Sequence, residues 1–149
     1  MFRGITSVNL DAKGRMALPA RYRDVWTSCN GQLVVTIDSR ERCLLLYPLP
    51  EWNTVQGKLE SLSNLNKGAR LLQRLLIGHA TDLEVDGSTR VLIPPMLREY
   101  AGLTKKIVLL GQGNKFEIWS DELWQQRLDE WLKARSSDAD DDDFTGLSV

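Results

Sequence analysis

A sequence pattern that occurs twice constrains this chain more than any other feature does. Residues 9–23 read NLDAKGRMALPARYR, and residues 84–98 read EVDGSTRVLIPPMLR. A unit of about 50 residues struggles to bury enough apolar surface alone. The repetition therefore predicts two units that share one core about a pseudo-two-fold axis. The copies keep a constant offset of 75 residues, which pairs Asp11 with Asp86, Arg15 with Arg90, Leu18 with Ile93, Pro19 with Pro94 and Arg23 with Arg98.

Both copies carry the same local signals for strands, a turn and a helix. Each turn begins at an aspartate, Asp11 or Asp86, whose side chain can accept hydrogen bonds from backbone N–H groups just ahead of it. Pro19 and Pro94 end the strand after the turn and suit the first turn of a helix. Two more strands are predicted in each copy, LVVTID and CLLLY in the first and KIVLL and KFEIW in the second.

The predicted fold class is α+β, with two tandem β-rich repeats and an amphipathic helix after each. Trp52, Val55 and Leu59 fall on one helical stripe after the first copy. A further helix, KGARLLQRLLIGHA, joins the copies, and its apolar face favours packing on the core or on another subunit over lying on a membrane. The predicted boundaries are 5–52 for repeat 1, 53–80 for the connecting helices, 81–124 for repeat 2, 125–135 for a C-terminal helix and 136–149 for an acidic tail.

The charge of the chain is distributed unevenly. The formal net charge is −1, but the last stretch, SSDADDDDFTGLSV, carries five aspartates and no basic residue. Without those five, 15 acidic residues remain against 19 basic ones. Dense like charge and few apolar residues predict that the tail is disordered. It either keeps the protein soluble or competes with a polyanion for the basic surface.

Several classes of function find no support in the sequence. No early apolar run indicates a signal peptide, and the apolar runs are too short to span a bilayer, so we expect a cytoplasmic protein with reduced thiols. Cys29 and Cys43 lack metal-ligand spacing, and His79 is the single histidine. No catalytic motif is present, and nothing local activates a Cys43–His79 pair. We therefore expect no enzyme activity, cofactor, metal or small-molecule substrate.

Positive charge is concentrated in the first copy of the repeat. Up to residue 23 the only acidic residue is Asp11. A turn that holds cations beside Gly14 brings its backbone close to a partner, as contact with a phosphate backbone requires. Arginine on a hairpin can also bond guanine in the major groove. A solvated charged face is the alternative that spacing alone leaves open. The basic residues of this stretch are Arg3, Lys13, Arg15, Arg21 and Arg23.

Spaced motifs from Met1 to about residue 131 resemble the MraZ family of bacterial transcriptional regulators, which carry two SpoVT-AbrB-type repeats. The resemblance implies a swapped-hairpin β fold, a ring-shaped homo-oligomer and a nucleoid-associated protein that binds double-stranded DNA at direct repeats. It also implies a regulator, usually a repressor, of the division and cell-wall gene cluster that includes its own gene. The motifs are DAKGR with Pro19, CLLLYPLPEW (43–52), GHA (78–80), DGSTRVLIPPMLREYAGL (86–103) and NKFEIW (114–119).

The resemblance places DNA contact on Arg15, with Lys13 beside it and with Gly14 and Arg3 as further candidates. Arg21, Arg23 and Arg90 are weaker candidates. The family commonly has glycine before the arginine in both motifs, whereas this chain has Thr89, which resists positive φ and predicts a second turn of different shape. We therefore predict that the first copy binds DNA and the second completes the core and the subunit contacts. A ring-forming scaffold without DNA and an antitoxin-like member of the same fold are the alternatives.

Overall fold

A computed structural model describes residues 1–137 and 147–148 of the chain. In this part the chain forms eight strands, five α-helices and one 3-10 helix (Ala20–Tyr22). The strands are β1 (Phe2–Asn9), β2 (Arg15–Ala17), β3 (Gln32–Ile37), β4 (Leu44–Pro48), β5 (Thr81–Glu84), β6 (Arg90–Leu92), β7 (Lys106–Gly113) and β8 (Phe116–Ser120). The α-helices are α1 (Arg23–Ser28), α2 (Leu49–Glu60), α3 (Lys67–Leu76), α4 (Pro95–Ala101) and α5 (Asp121–Ser137).

The strand order confirms the predicted α+β fold and its pseudo-two-fold organisation. Six strands form one antiparallel sheet in the order β1-β7-β8-β4-β3-β5, and β2 pairs with β6. When each strand is replaced by its counterpart in the other copy (β1 with β5, β2 with β6, β3 with β7, β4 with β8), the same strand order results, read from the opposite edge of the sheet. The first strand of each copy pairs with the third strand of the other. Each copy therefore completes the other by exchanging a hairpin.

The two faces of the six-stranded sheet bury different layers, because successive residues of a strand point to opposite faces. Leu33 and Val35 of β3 belong to the larger core, together with Met16 of β2 and Val91 of β6. The β2–β6 pair and helices α1 and α4 therefore cover this face, here called the hairpin face. Val34, between those two β3 residues, packs with α2 and α3 on the opposite, helical face.

The helical face is closed by aromatic contacts that repeat in the two halves. The rings of Tyr47 and Trp52 lie 5.4 Å apart, and those of Trp119 and Trp124 lie 5.7 Å apart. Helix α3 packs on the core through Leu72 and neighbouring apolar residues. In the described part of the chain, no helix is long and apolar enough to cross a membrane.

The last helix is longer than the sequence indicated. Helix α5 begins at Asp121 rather than near residue 125, and the N–H of Leu123 donates to Ser120 Oγ at 3.1 Å at its start. It ends at Ser137, two residues beyond the predicted end at residue 135. Ten of the fourteen residues of the predicted tail, 138–146 and 149, lie outside the described residues.

Candidate nucleic-acid interface

The first candidate turn, residues 11–15, is held by the backbone and side chain of Asp11. The N–H of Asp11 donates to the carbonyl of Arg15 at 2.9 Å, and the N–H of Gly14 donates to the carbonyl of Asp11 at 3.0 Å. Asp11 Oδ1 accepts the N–H groups of Lys13 and Arg15 at 2.9 and 2.8 Å. Gly14 has φ +90°, which closes this three-residue hairpin loop. The loop therefore presents Lys13 and Arg15 from a rigid backbone.

The second turn, residues 86–90, has the same shape, and the prediction of a different one is wrong. Asp86 repeats the backbone pairs with Arg90 and Thr89, at 2.9 and 3.0 Å. Its Oδ1 accepts the N–H groups of Ser88 and Arg90, each at 2.9 Å. Thr89 takes φ +58°, a left-handed conformation that costs a β-branched residue free energy. The four hydrogen bonds of the loop outweigh that cost.

The two turns interlock on the hairpin face of the molecule. The N–H of Ile93 donates to the carbonyl of Gly14 at 2.9 Å, and the N–H of Leu18 donates to the carbonyl of Thr89 at 3.0 Å. Strands β2 and β6 pair so that Arg15 faces Leu92 and Ala17 faces Arg90. Because Met16 and Val91 between them point into the core, these four side chains share the outer surface of the β2–β6 pair.

The two arginines of this surface are held differently. Arg15 Nε donates to Asp11 Oδ2 at 2.9 Å, and its side chain is 31% exposed. Arg90 Nε lies 3.4 Å from Asp86 Oδ2 without hydrogen-bond geometry, and Arg90 Nη1 lies 3.8 Å from Asp11 Oδ2. Only Arg15 therefore has a directed hydrogen bond that fixes its guanidinium group.

Both aspartates stay ionised in these turns. The N–H of Arg15 donates to Asp11 and is the main cause that lowers the pKa of that carboxyl group below its ordinary value. The N–H of Arg90 does the same for the pKa of Asp86. Hydrogen bonds to the charged form favour it. Each arginine therefore has a carboxylate beside it at neutral pH, and the Asp11 carboxylate also orients Arg15.

Arg98, on α4 of the second copy, supports the turn of the first copy, and sequence reasoning missed this role. Its Nε donates to the carbonyl of Ile93 at 2.9 Å. A Cβ atom added to Gly14 would lie 2.6 Å from Arg98 Cζ, so the guanidinium group occupies the space that a side chain there would need. The repeat pattern paired Arg98 with Arg23, but a pattern within one copy carries no signal of contact across copies.

The other candidates lie apart from Arg15. Arg3 is eight residues before Asp11 on β1 and its extension, about 26 Å along an extended chain. Arg21 Nη2 donates to the carbonyl of Arg3 at 2.8 Å, so these two residues form a separate basic group. Arg23 is exposed and borders a cleft with Asp86 and Thr89, beside the second turn.

Cys43 and His79, the pair considered for catalysis, are packed within the fold. Cys43 is fully buried, and burial raises the pKa of its thiol above the ordinary value. His79 is half-buried, and its Nδ1 lies 2.7 Å from the carbonyl oxygen of Leu75 at the end of α3. Within residues 1–137 and 147–148, no group of three or more His, Cys, Asp or Glu side chains could hold a metal ion.

Comparison with known proteins agrees with the repeat. A family model described as "MraZ protein, putative antitoxin-like" matches residues 1–75 and again residues 76–146. A protein of Halorhodospira halophila named "Transcriptional regulator MraZ" is 56% identical over 142 residues, covering 94% of this chain and 93% of the relative. Proteins of the same name from Alkalilimnicola ehrlichii and Pseudomonas putida are 53% identical over 150 residues (100% of both chains) and 58% identical over 125 residues (83% of both).

Proposed function

The chain belongs to the MraZ family, and from this membership we propose that it is a sequence-specific DNA-binding transcriptional regulator. The observation that carries the proposal is the arginine of the first turn. Arg15 lies on the outer surface of the β2–β6 pair, and Asp11 holds its Nε in place. The guanidinium group is planar, and this hydrogen bond fixes the direction in which its terminal N–H groups point, as a bidentate contact with a base requires.

In this proposal the first turn supplies both kinds of DNA contact. Arg15 donates to guanine O6 and N7 in the major groove and reads sequence. Lys13, exposed at the tip of the loop, contacts the phosphate backbone and sets the position of the protein on the duplex. Gly14 allows the close approach of the loop. Arg90 lies at the edge of this surface, where it adds positive charge.

Arg3, Arg21 and Arg23 have a secondary place in the proposal. Arg3 and Arg21 lie far from Arg15, and Arg23 lies beside the acidic second turn. In this proposal they contact phosphates away from the base that Arg15 reads. Removing such a contact weakens binding to all sequences alike, because phosphates carry no sequence information.

We further propose the finer functions that family membership suggests. The protein acts in the cytoplasm, at the nucleoid, and represses the division and cell-wall gene cluster that contains its own gene. It does so as a ring-shaped homo-oligomer that binds direct repeats about one helical turn apart. Exposed apolar side chains on three elements offer surface for subunit contacts. They are Ile5 of β1, Leu71 of α3, and Trp131 and Leu132 of α5.

A gel-shift titration with the DNA upstream of the chain's own gene tests this proposal. Wild-type protein should shift that duplex in preference to a scrambled one, and Arg15→Ala should abolish the preference. Its melting temperature should stay unchanged, because a half-exposed turn residue usually moves stability by less than about 0.5 kcal/mol. Lys58→Ala, which removes a cation from α2 on the helical face, is the control and should bind as the wild type does.

Two results would favour other functions. An assembled wild-type protein that shows no preference for the upstream duplex would fit a scaffold without DNA. Capture of a toxin-like partner in place of DNA would fit the antitoxin-like alternative. An Arg15→Ala protein that melts much earlier than wild type would make Arg15 a structural residue and remove the basis of the proposal.

A further inference from the structure

A cleft lies between the first turn and the connection from α4 to β7. The two sides come from different copies of the repeat, and the backbone joins them where the N–H of Leu10 donates to the carbonyl of Lys105 at 2.8 Å. Next to that bond, Asn9 of β1 pairs with Lys106 of β7. The cleft is lined by Leu10, Asp11, Ala12, Arg98, Leu103, Thr104 and Lys105.

The polar groups of this cleft suit an anion. Lys105 is exposed, and among the described residues its ammonium group has no hydrogen-bond or ion-pair partner. Arg98 uses its Nε to bond Ile93, and within residues 1–137 its terminal nitrogens form no hydrogen bond or ion pair. Thr104 adds an exposed hydroxyl group. The single acid, Asp11, already accepts hydrogen bonds from its own loop and from Arg15, so its charge is largely compensated.

The equivalent cleft beside the second turn lacks this character. There the N–H of Val85 donates to the carbonyl of Gly31 at 2.8 Å, as Leu10 does to Lys105 in the first cleft. Gly31 therefore occupies the position equivalent to Lys105. Thr89 borders that cleft at the position of Gly14. Arg23 corresponds to Arg98, but within the described chain it makes no hydrogen bond like the one from Arg98 to Ile93. The first cleft therefore has two cations, Arg98 and Lys105, where the second has only Arg23 in its lining, although the fold repeats.

We propose that this cleft binds a phosphate of the DNA backbone next to the base that Arg15 contacts, through Lys105, Thr104 and Arg98. The inference rests on the proposed DNA-binding function and adds that the second repeat supplies a phosphate site to the turn of the first. Lys105 neutralises the phosphodiester, Thr104 donates its hydroxyl hydrogen, and Arg98 contributes a second positive charge from beneath Gly14. The recognition surface is thus assembled across the two repeats.

The test is a salt series of DNA affinity, measured by fluorescence anisotropy with the upstream duplex and with a scrambled duplex. Loss of one phosphate contact should reduce the slope of log K against log salt by about 0.9. Between 50 and 200 mM salt the wild type should therefore lose about 3.5-fold more affinity than Lys105→Gln. The loss should be equal on both duplexes, because a phosphate contact is independent of sequence.

Lys58→Gln is the matched control, since it removes the same charge on the helical face and should leave the slope at the wild-type value. A Lys105→Gln slope equal to that of this control would overturn the phosphate site. So would a loss confined to the upstream duplex, which would indicate base contact. Failure of the wild type to prefer the upstream duplex would instead refute the proposed function, so the two failures are distinguishable.

Discussion

At the scale of single residues, Gly14 and Thr89 hold equivalent positions and face different neighbours. Both have positive φ, which glycine adopts freely and threonine adopts at a cost. The guanidinium group of Arg98 lies against Gly14, so a side chain at this position would have to displace Arg98 as well as adopt positive φ. At Thr89 the side chain has room, because it borders an open cleft beside Arg23. The first turn is thus the more tightly constrained of the two.

Substitutions at these two positions should have different effects on stability. Gly14→Ala should lower the free energy of unfolding by about 1–3 kcal/mol, since it adds backbone strain and displaces Arg98. Thr89→Gly should stay within about 1 kcal/mol of wild type, because relief of strain and the greater freedom of glycine in the unfolded chain oppose each other. Urea unfolding followed by tryptophan fluorescence measures both. Equal destabilisation by the two substitutions would show that Arg98 does not constrain the first turn.

At the scale of elements, the sequence predicted each strand and helix better than it predicted their partners. The Asp turns, the prolines and the apolar runs are local signals, and β3, β4, β7 and β8 lie at or near the stretches predicted for them. The exchange between copies was inferred from family resemblance, because pairing of β1 with β7 depends on contacts between distant residues. For the same reason, Arg98 and Lys105 were not recognised as neighbours of the first turn.

The exchange of hairpins makes a prediction about half of the chain. Residues 1–75 alone should not form a folded monomer, because β1 would lack β7 and β3 would lack β5. Two such halves can replace each other's missing strands, so any folded material should be a homodimer. Circular dichroism with light scattering after size exclusion distinguishes these states, with residues 1–137 as the folded control. A folded monomer of residues 1–75 would contradict the exchanged pairing.

At the scale of the whole molecule, the two repeats have the same fold, but the charged residues around their turns differ. The first turn has Lys13 and Arg15 in its loop and Arg98 and Lys105 beside it, against one acid, Asp11. The second turn has Arg90 and Arg23 near it, together with three acids of β5 and the loop, Asp82, Glu84 and Asp86. The sequence predicted this difference in charge from the residues of each copy, and the structure adds the cations that reach the first turn from the second copy.

The central claim is that the first turn binds DNA and the second mainly supports it. It is tested most directly by DNA affinity across a salt series for the double variant Lys13→Ala/Arg15→Ala and for Arg90→Ala. The double variant should lose specific affinity and flatten the slope by up to about two units, whereas Arg90→Ala should lose much less at unchanged oligomer size. An Arg90→Ala protein that assembles normally yet loses as much affinity and slope as the double variant would contradict the claim, because both turns would then contact DNA.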